Sequence, residues 1–351
     1  MKRAANKPPQ SKAVDLLVLG EYVERFATRT VVVLGDFVAD SFQFGEISRV
    51  SREAPVLILR HRETEIVPGG GANAANNFSS LGAKVLPIAA VGDDAAGAQL
   101  IESFRKKRVD VSGIIRVSGW TTPTKTRFLA GWAHTVGHQV LRVDYEPAVP
   151  LPEAVRVKLH RILLAKLKKA HALAVSDYGF GVVSPTELRE ARARGPKDLP
   201  ITLDSRYSLA DYRLAGITAA TPNEAELEAL HHASIGKNLA ELCRCGEATR
   251  AHMKLPSLLV TRGRDGMALF QADESPTFIA VHGSDQAVDV TGAGDTVLAT
   301  YTLALASGAS PLEAAHLANI AGGLVVMKRG TATVSCDELS EAIHKSASEN
   351  S

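Results

Sequence analysis

The chain has 351 residues, 45% of them apolar, and its 40 basic and 38 acidic side chains leave a formal charge of +2. So even a balance gives no electrostatic footing for nucleic acid or a membrane surface. No stretch reaches the roughly 20 apolar residues of a membrane span, and the opening MKRAANKPPQ lacks the apolar core of a signal peptide. Three cysteines, the C-x-C pair Cys243 and Cys245 and the remote Cys336, read as reduced thiols in a cytoplasmic protein.

In chain order, residues 1–10 read as a disordered tail. Residues 11–28 place Val14, Leu17, Val18, Tyr22 and Phe26 at helical spacing. The run TVVVLG at 30–35 is a buried strand of parallel type. Short β-like segments follow at 41–44 and 56–60. A triple-glycine loop then opens a helix at 72–81, with Gly82 as its C-cap. A strand at 84–91 and a helix at 95–107 come next. Residues 120–145 alternate again, with Gly131 and Gly137 as turns. From 153 the rhythm is regular: helices at 153–169, 185–193 and 223–230, strands at 172–175, 201–203, 218–220 and 257–260, and helices at 297–307 and 312–328. Such alternation predicts an α/β domain with a doubly wound, mostly parallel central sheet and helices on both faces. The two β excursions, at 41–64 and 119–146, predict a small separate lid. The division expected is a tail plus helix at 1–29 and one domain at 30–345.

Ligands in such sheets bind at the carboxyl ends of the strands. Asp36, Asp177, Asp204, Asn223 and Thr261 all fall there. Asp36 and Asp40, in GDFVAD, can hold sugar hydroxyls, or simply serve turns. Gly70 and Gly71 let a ligand approach the backbone, and Asn73 and Asn77 share one helix face. Asn223 and Glu226 form a capping-box pattern; the same glutamate can order water on Mg²⁺. Asp289-Val290-Thr291-Gly292-Ala293-Gly294-Asp295-Thr296 leads into an apolar helix. Glycines at a helix mouth make an anion hole. A carboxylate there suits a base that takes a proton from an attacking hydroxyl. Asp295 also suits an N-cap of a plain turn.

GDFVAD, PGGGANAANN, TPNEAE, TRGRDG and DVTGAGDT, in that order, resemble the ribokinase-like (pfkB) family of sugar kinases across residues 31–335. The segments SRVSREAP, TKTR, RVDYE and SDYG are similar to those of D-glycero-D-manno-heptose 7-phosphate kinases of lipopolysaccharide-precursor synthesis. In bifunctional versions an adenylyltransferase domain is attached, and this chain is expected to lack it. The resemblance implies ATP-dependent phosphorylation of a sugar or sugar phosphate. Asp295 becomes the base, and the amides of Gly292, Ala293 and Gly294 hold the transferring group. Asp36, Asp40, Gly70, Gly71, Asn73, Asn77 and Asp177 fall at substrate positions. Asn223, Glu226, Thr261, Gly263, Gly266 and Asn319 fall at nucleotide positions, with Mg²⁺ held through water by Glu226. Asp289 and Thr291 match a monovalent-cation site, K⁺ being the expected ion. The lid implies a homodimer.

A phosphorylated acceptor needs cations, and Lys125, Arg127, Arg142 and Arg206 are the candidates. Two departures fall near the acceptor. Phe180 stands where the heptose kinases have a lysine, and Asp204-Ser205-Arg206 replaces Asp-Pro-Lys. Phe180 can stack on a ring, so a nucleoside, ribose or fructose 1-phosphate stays open as acceptor, as does a non-catalytic sugar- or nucleotide-binding regulator.

Overall fold

Asp15 opens the first helix, α1 (Leu16–Arg25), by accepting the Leu17 N–H. The computed structural model describes residues 14–131, 138–207, 209–284 and 286–349. The expected tail at 1–10, the first residues of the expected 11–28 helix, and Gly137 lie outside them. The β-branched run forms β1 (Thr30–Gly35), and two long strands follow, β2 (Phe37–Val50) and β3 (Leu57–Gly70). After α2 (Gly71–Ser80) come β4 (Lys84–Gly92), α3 (Ala95–Lys106), β5 (Ile114–Val117), β6 (Thr124–Gly131) and β7 (His138–Tyr145). The middle of the chain holds α4 (Glu153–Leu167), β8 (Ala172–Asp177), α5 (Pro185–Arg194), β9 (Ile201–Ser205), β10 (Ala219–Ala220), α6 (Glu224–His231) and α7 (Leu239–Met253). It ends with β11 (Ser257–Thr261), β12 (Met267–Gln271), β13 (Thr277–Ile279), α8 (Ala293–Ala306), α9 (Pro311–Val325) and α10 (Cys336–Glu349).

Nine strands form the main sheet in the order β13-β12-β11-β10-β9-β8-β1-β4-β5. All neighbours are parallel except the pairs β11/β12 and β12/β13. Side chains alternate along β1, so each face of the sheet builds its own core. Val31 and Val33 join α1, α2, α3, α8, α9 and α10 on one side. Val32 and Leu34 join α4, α5, α6 and α7 on the other. The sheet is doubly wound, as expected.

The lid is a second sheet of order β3-β2-β6-β7. Its strands are longer than the short segments read from the sequence: β2 and β3 stay paired from Phe37 opposite Gly70 out to Val50 opposite Leu57. The lid therefore grows directly from the strand ends of the main sheet. The sequence reading also missed β5, β12, α7 and α10. The last of these carries Leu339 and Ile343 into the α1 side of the core and runs four residues past the expected boundary at 345, to Glu349.

Candidate active site

A cavity of about 360 Å³ opens where the lid meets the strand ends, and Asp295 lines it. The helix that carries Asp295 starts there because Gly292 sits in the left-handed region at φ 79° as its N-cap. A Cβ on Gly292 would stand 2.5 Å from Asn73 Nδ2. That approach is needed, because Asn73 Nδ2 donates to Asp295 Oδ2 at 2.7 Å. Asp295 Oδ1 has no partner and is buried. Burial pushes the Asp295 carboxyl up to about 7, with Asp40 adding to the rise and the Asn73 donor and Lys125 opposing it. The result is a proton acceptor poised near neutrality with one oxygen free.

The helix mouth offers donors to an anion. The Ala293 N–H is taken by Val290 O at 3.2 Å. The N–H groups of Gly292 and Gly294 have no acceptor among the described residues, and both glycines line the cavity. Of the three amides expected to hold an anion, two are therefore open to the cavity.

Other expected substrate residues divide into those that face the cavity and those behind it. Asp40 faces it, bonded to Arg127 Nη1 at 2.5 Å. Gly69 must be a glycine to leave room, since a Cβ there would meet Asp40 Oδ2 at 2.5 Å. Gly70, Lys125, Arg127, Arg142, Asp177 and Arg206 also line the cavity. Asp36 does not, contrary to expectation. Its carboxylate accepts the backbone N–H groups of Tyr178, Phe180 and Val182, and so shapes the loop after β8. Burial raises it to about 6. Gly71 and Asn77 also sit behind the wall. Asn77 donates to Asn73 and accepts from the Thr296 hydroxyl, so it holds the residue that holds the base. Phe180 is half-buried against the core on the α4–α7 side and does not line the cavity. His138 is exposed on the lid, and His134 lies outside the described residues.

The sequence reading gave no site role to five lining residues, Tyr178, Asp204, Thr221, Val290 and Thr331, although it placed Asp204 at a strand end. Asp204 carried a signal, as a carboxylate at the end of β9. Burial, followed by the nearby Glu226, Asp295 and Asp177, pushes it well above the usual carboxylate range.

A second cavity of about 560 Å³ adjoins the first and is mostly apolar. Gly263, Gly266 and Asn319 line it, with Asn223, Thr261, Val290 and Gly294 shared between the two. Asn223 and Glu226 form a complete capping box. One Glu226 oxygen accepts the Asn223 N–H, and burial raises this carboxyl. Its other oxygen remains for water on a cation. Among the described residues no three His, Cys, Asp or Glu side chains converge as a protein cage for a metal. A site of one or two carboxylates suits Mg²⁺, which keeps several waters. Asp289 takes the Thr291 N–H on Oδ1 and the Gly330 N–H on Oδ2. Burial raises its carboxyl, but these donors outweigh it and hold the group below its usual range.

The pattern of the pfkB family carbohydrate kinases matches residues 28–338. The chain belongs to this family. With it comes the enzyme class, ATP-dependent phosphorylation of a carbohydrate. Two relatives, each named bifunctional protein HldE, are 39% identical: one from Mesorhizobium japonicum over 92% of this chain, and one from Geobacter metallireducens over 88%. The chain spans 64% and 61% of their lengths. Among solved structures, Arabidopsis thaliana ribokinase complexed with ribose and ATP aligns at TM-score 0.69 and 19% identity, covering 90% of this chain and 98% of that one. Escherichia coli phosphofructokinase-2 in complex with potassium aligns at 0.70 and 20%, covering 91% and 99%. These two share the fold.

Proposed function

We propose that this chain transfers the γ-phosphate of ATP to a hydroxyl of a sugar phosphate, and that the acceptor is heptose 7-phosphate, phosphorylated at its anomeric hydroxyl. The observation that carries the chemistry is Asp295, buried, with one oxygen unpartnered and its carboxyl near neutrality, beside two free helix-start amides. The acceptor's O–H proton passes to Asp295 Oδ1 as its oxygen bonds to the γ-phosphorus and the bond to the ADP oxygen breaks. The Gly292 and Gly294 amides stabilise the charge on the transferring group. Mg²⁺, when bound, would neutralise charge on the phosphates, and Glu226 and Asn223 are the residues that would orient it. Asp289 and Thr291 are the residues for K⁺, which would fix the anion-hole loop from behind.

The heptose assignment rests on the cations around the acceptor cavity and on likeness to proteins named HldE. A homodimer through the lid belongs to the same reading: Val50, Val56, Leu57, Val140, Leu141 and Tyr145 are apolar and exposed there.

A screen of ATP-dependent turnover separates the readings. Heptose 7-phosphate should outrun fructose 1-phosphate, fructose 6-phosphate, ribose and nucleosides, in assays with and without K⁺. Activity confined to unphosphorylated sugars defeats the sugar-phosphate reading, and no turnover with any acceptor restores a binding role.

A further inference from the structure

The four cations of the acceptor cavity are not equivalent. Asp40, Lys125 and Asp144 stand in one row across β2, β6 and β7, and Phe42, Arg127 and Arg142 stand in the next. Rows two residues apart share a face, so all six side chains project from one side of the lid. Arg127 and Arg142 lie directly opposite each other, an arrangement of like charges that a sheet tolerates when counter-charges flank it. Both are supplied. Arg127 pairs with Asp40 at 2.5 Å, and Arg142 is gripped by Asp144 through two bonds of 2.7 and 2.6 Å.

Lys125 and Arg206 have no such partner among the described residues. Lys125 Nζ lies 5.1 Å from the Tyr178 ring centroid, and the Arg206 guanidinium lies 5.5 Å from that of Tyr207. Burial, then the nearby Arg206 charge, weakens the hold of the Lys125 ammonium on its proton. Asp177, Asp204, Glu226 and Asp295 line the floor of the same cavity, so what singles out Lys125 and Arg206 is not an excess of charge but that neither is bonded to a carboxylate among the described residues. Their donors stay open to the oxygens of a phosphate monoester.

We infer that Lys125 and Arg206 together grip the phosphate that the acceptor already carries, while Arg127 and Arg142 are latched to the lid's own carboxylates and shape the wall around it. This rests on the sugar-phosphate reading above. It makes the pair the determinant of phosphorylated over free sugar. Lys125 contributes a compact charge from the lid, and Arg206 a planar fork from the main sheet. The acceptor phosphate thereby ties the two sheets together.

The test uses the full chain and its Lys125→Met, Arg206→Gln and Arg206→Lys variants. Arg62→Ala is the control, because Arg62 is on the lid but pairs with the exposed Glu46. For each, kcat/KM is measured with heptose 7-phosphate and fructose 6-phosphate and with the same sugars unphosphorylated. Inorganic phosphate is titrated as a competitor. Loss of one charge-assisted contact should lower the ratio of phosphorylated to free sugar roughly 10- to 100-fold. Inhibition by inorganic phosphate should weaken in parallel, Arg206→Lys should recover part of the ratio, and Arg62→Ala should keep it. If the parent prefers phosphorylated acceptors and the truncations keep that preference, the assignment is wrong and the sugar-phosphate reading stands. If truncation instead raises the KM for ATP and lowers both acceptors equally, the pair clamps the nucleotide and the assignment fails. If the parent shows no preference, the reading itself falls and takes the assignment with it. Circular dichroism and thermal melting confirm folding. Where Arg206→Gln does not fold, Arg206→Lys and Lys125→Met decide.

Discussion

The floor of the acceptor cavity and the lid above it are built by different means. On the floor, function is carried by backbone and by side chains locked behind it. Gly292 at positive φ, the free amides of the helix mouth and Asp295, held by Asn73 and Asn77, lie at the start of a helix buried from Asp295 to Ala304. On the lid, function is carried by alternating side chains on a sheet whose other face is wet. Their charges are set by neighbours across the strands, and one of them, Lys125, has no carboxylate partner among the described residues. The difference teaches where each task can be placed. Proton transfer tolerates little displacement, and the proposed base stands at the head of a buried helix. The residues proposed to choose the acceptor stand largely on the lid, where side chains can change without moving the core.

The largest effect should come from the floor. Asp295→Asn should lower kcat about 10³-fold, within the range for loss of a general base, with the fold preserved and the melting temperature no lower than the parent's, because no buried charge is added. Turnover within tenfold of the parent would place the base elsewhere. Gly292→Ala comes next. Its Cβ collides with Asn73 and its φ is unfavourable for alanine, so kcat should fall about 10²-fold and stability by about 1–2 kcal/mol, read by steady-state kinetics and urea denaturation. An unchanged rate would mean that Asn73 does not aim the base.

The pH dependence sharpens the contrast. With Asp295 near 7, kcat/KM should fall about tenfold per unit below that pH, since only the ionised carboxylate accepts a proton. Stability follows from the same shift. The folded carboxyl keeps its proton up to about 7, whereas the unfolded one loses it near 3.8. The folded state therefore binds more protons in between, and stability should decline as pH rises through that window. Melting curves of the parent and Asp295→Asn across pH 4–8 should diverge by this slope; parallel curves would contradict the shift. The smallest catalytic effect belongs to the lid's outer face. Leu141, 54% exposed, changed to Lys should shift the mass seen by light scattering from dimer toward monomer and alter kcat only a few-fold. A mass that stays dimeric would move the interface off the lid.

The floor was legible because its groups are consecutive in sequence. The TGAGD turn and the Asn223–Glu226 capping box each declare a helix start within a few residues. The alternation of strands and helices was enough for the doubly wound sheet. What stayed hidden depends on distant partners. A carboxylate at a strand end reads the same whether it meets a sugar or, like Asp36, three N–H groups more than a hundred residues away. Asn77 was read as a ligand because Thr296, which occupies it, is remote. The pairing of Arg127 with Asp40 and of Arg142 with Asp144 depends on strand register, which alternation alone does not supply. The amphipathic α10 was overlooked because only Leu339 and Ile343 mark its buried stripe.

One junction ties the two regions together. β3 of the lid ends at Gly70, that residue caps α2, and Asn73 follows three positions later with its amide on the base. The lid's anchor and the gunsight are thus a single short piece of chain. Any displacement of the lid at Gly70 would bear on the first turn of α2 and, through Asn73, on the aim of the free oxygen of Asp295. Damage to the lid's seating should therefore register in turnover at saturating acceptor as well as in affinity, because a loose lid also means a base pointing the wrong way.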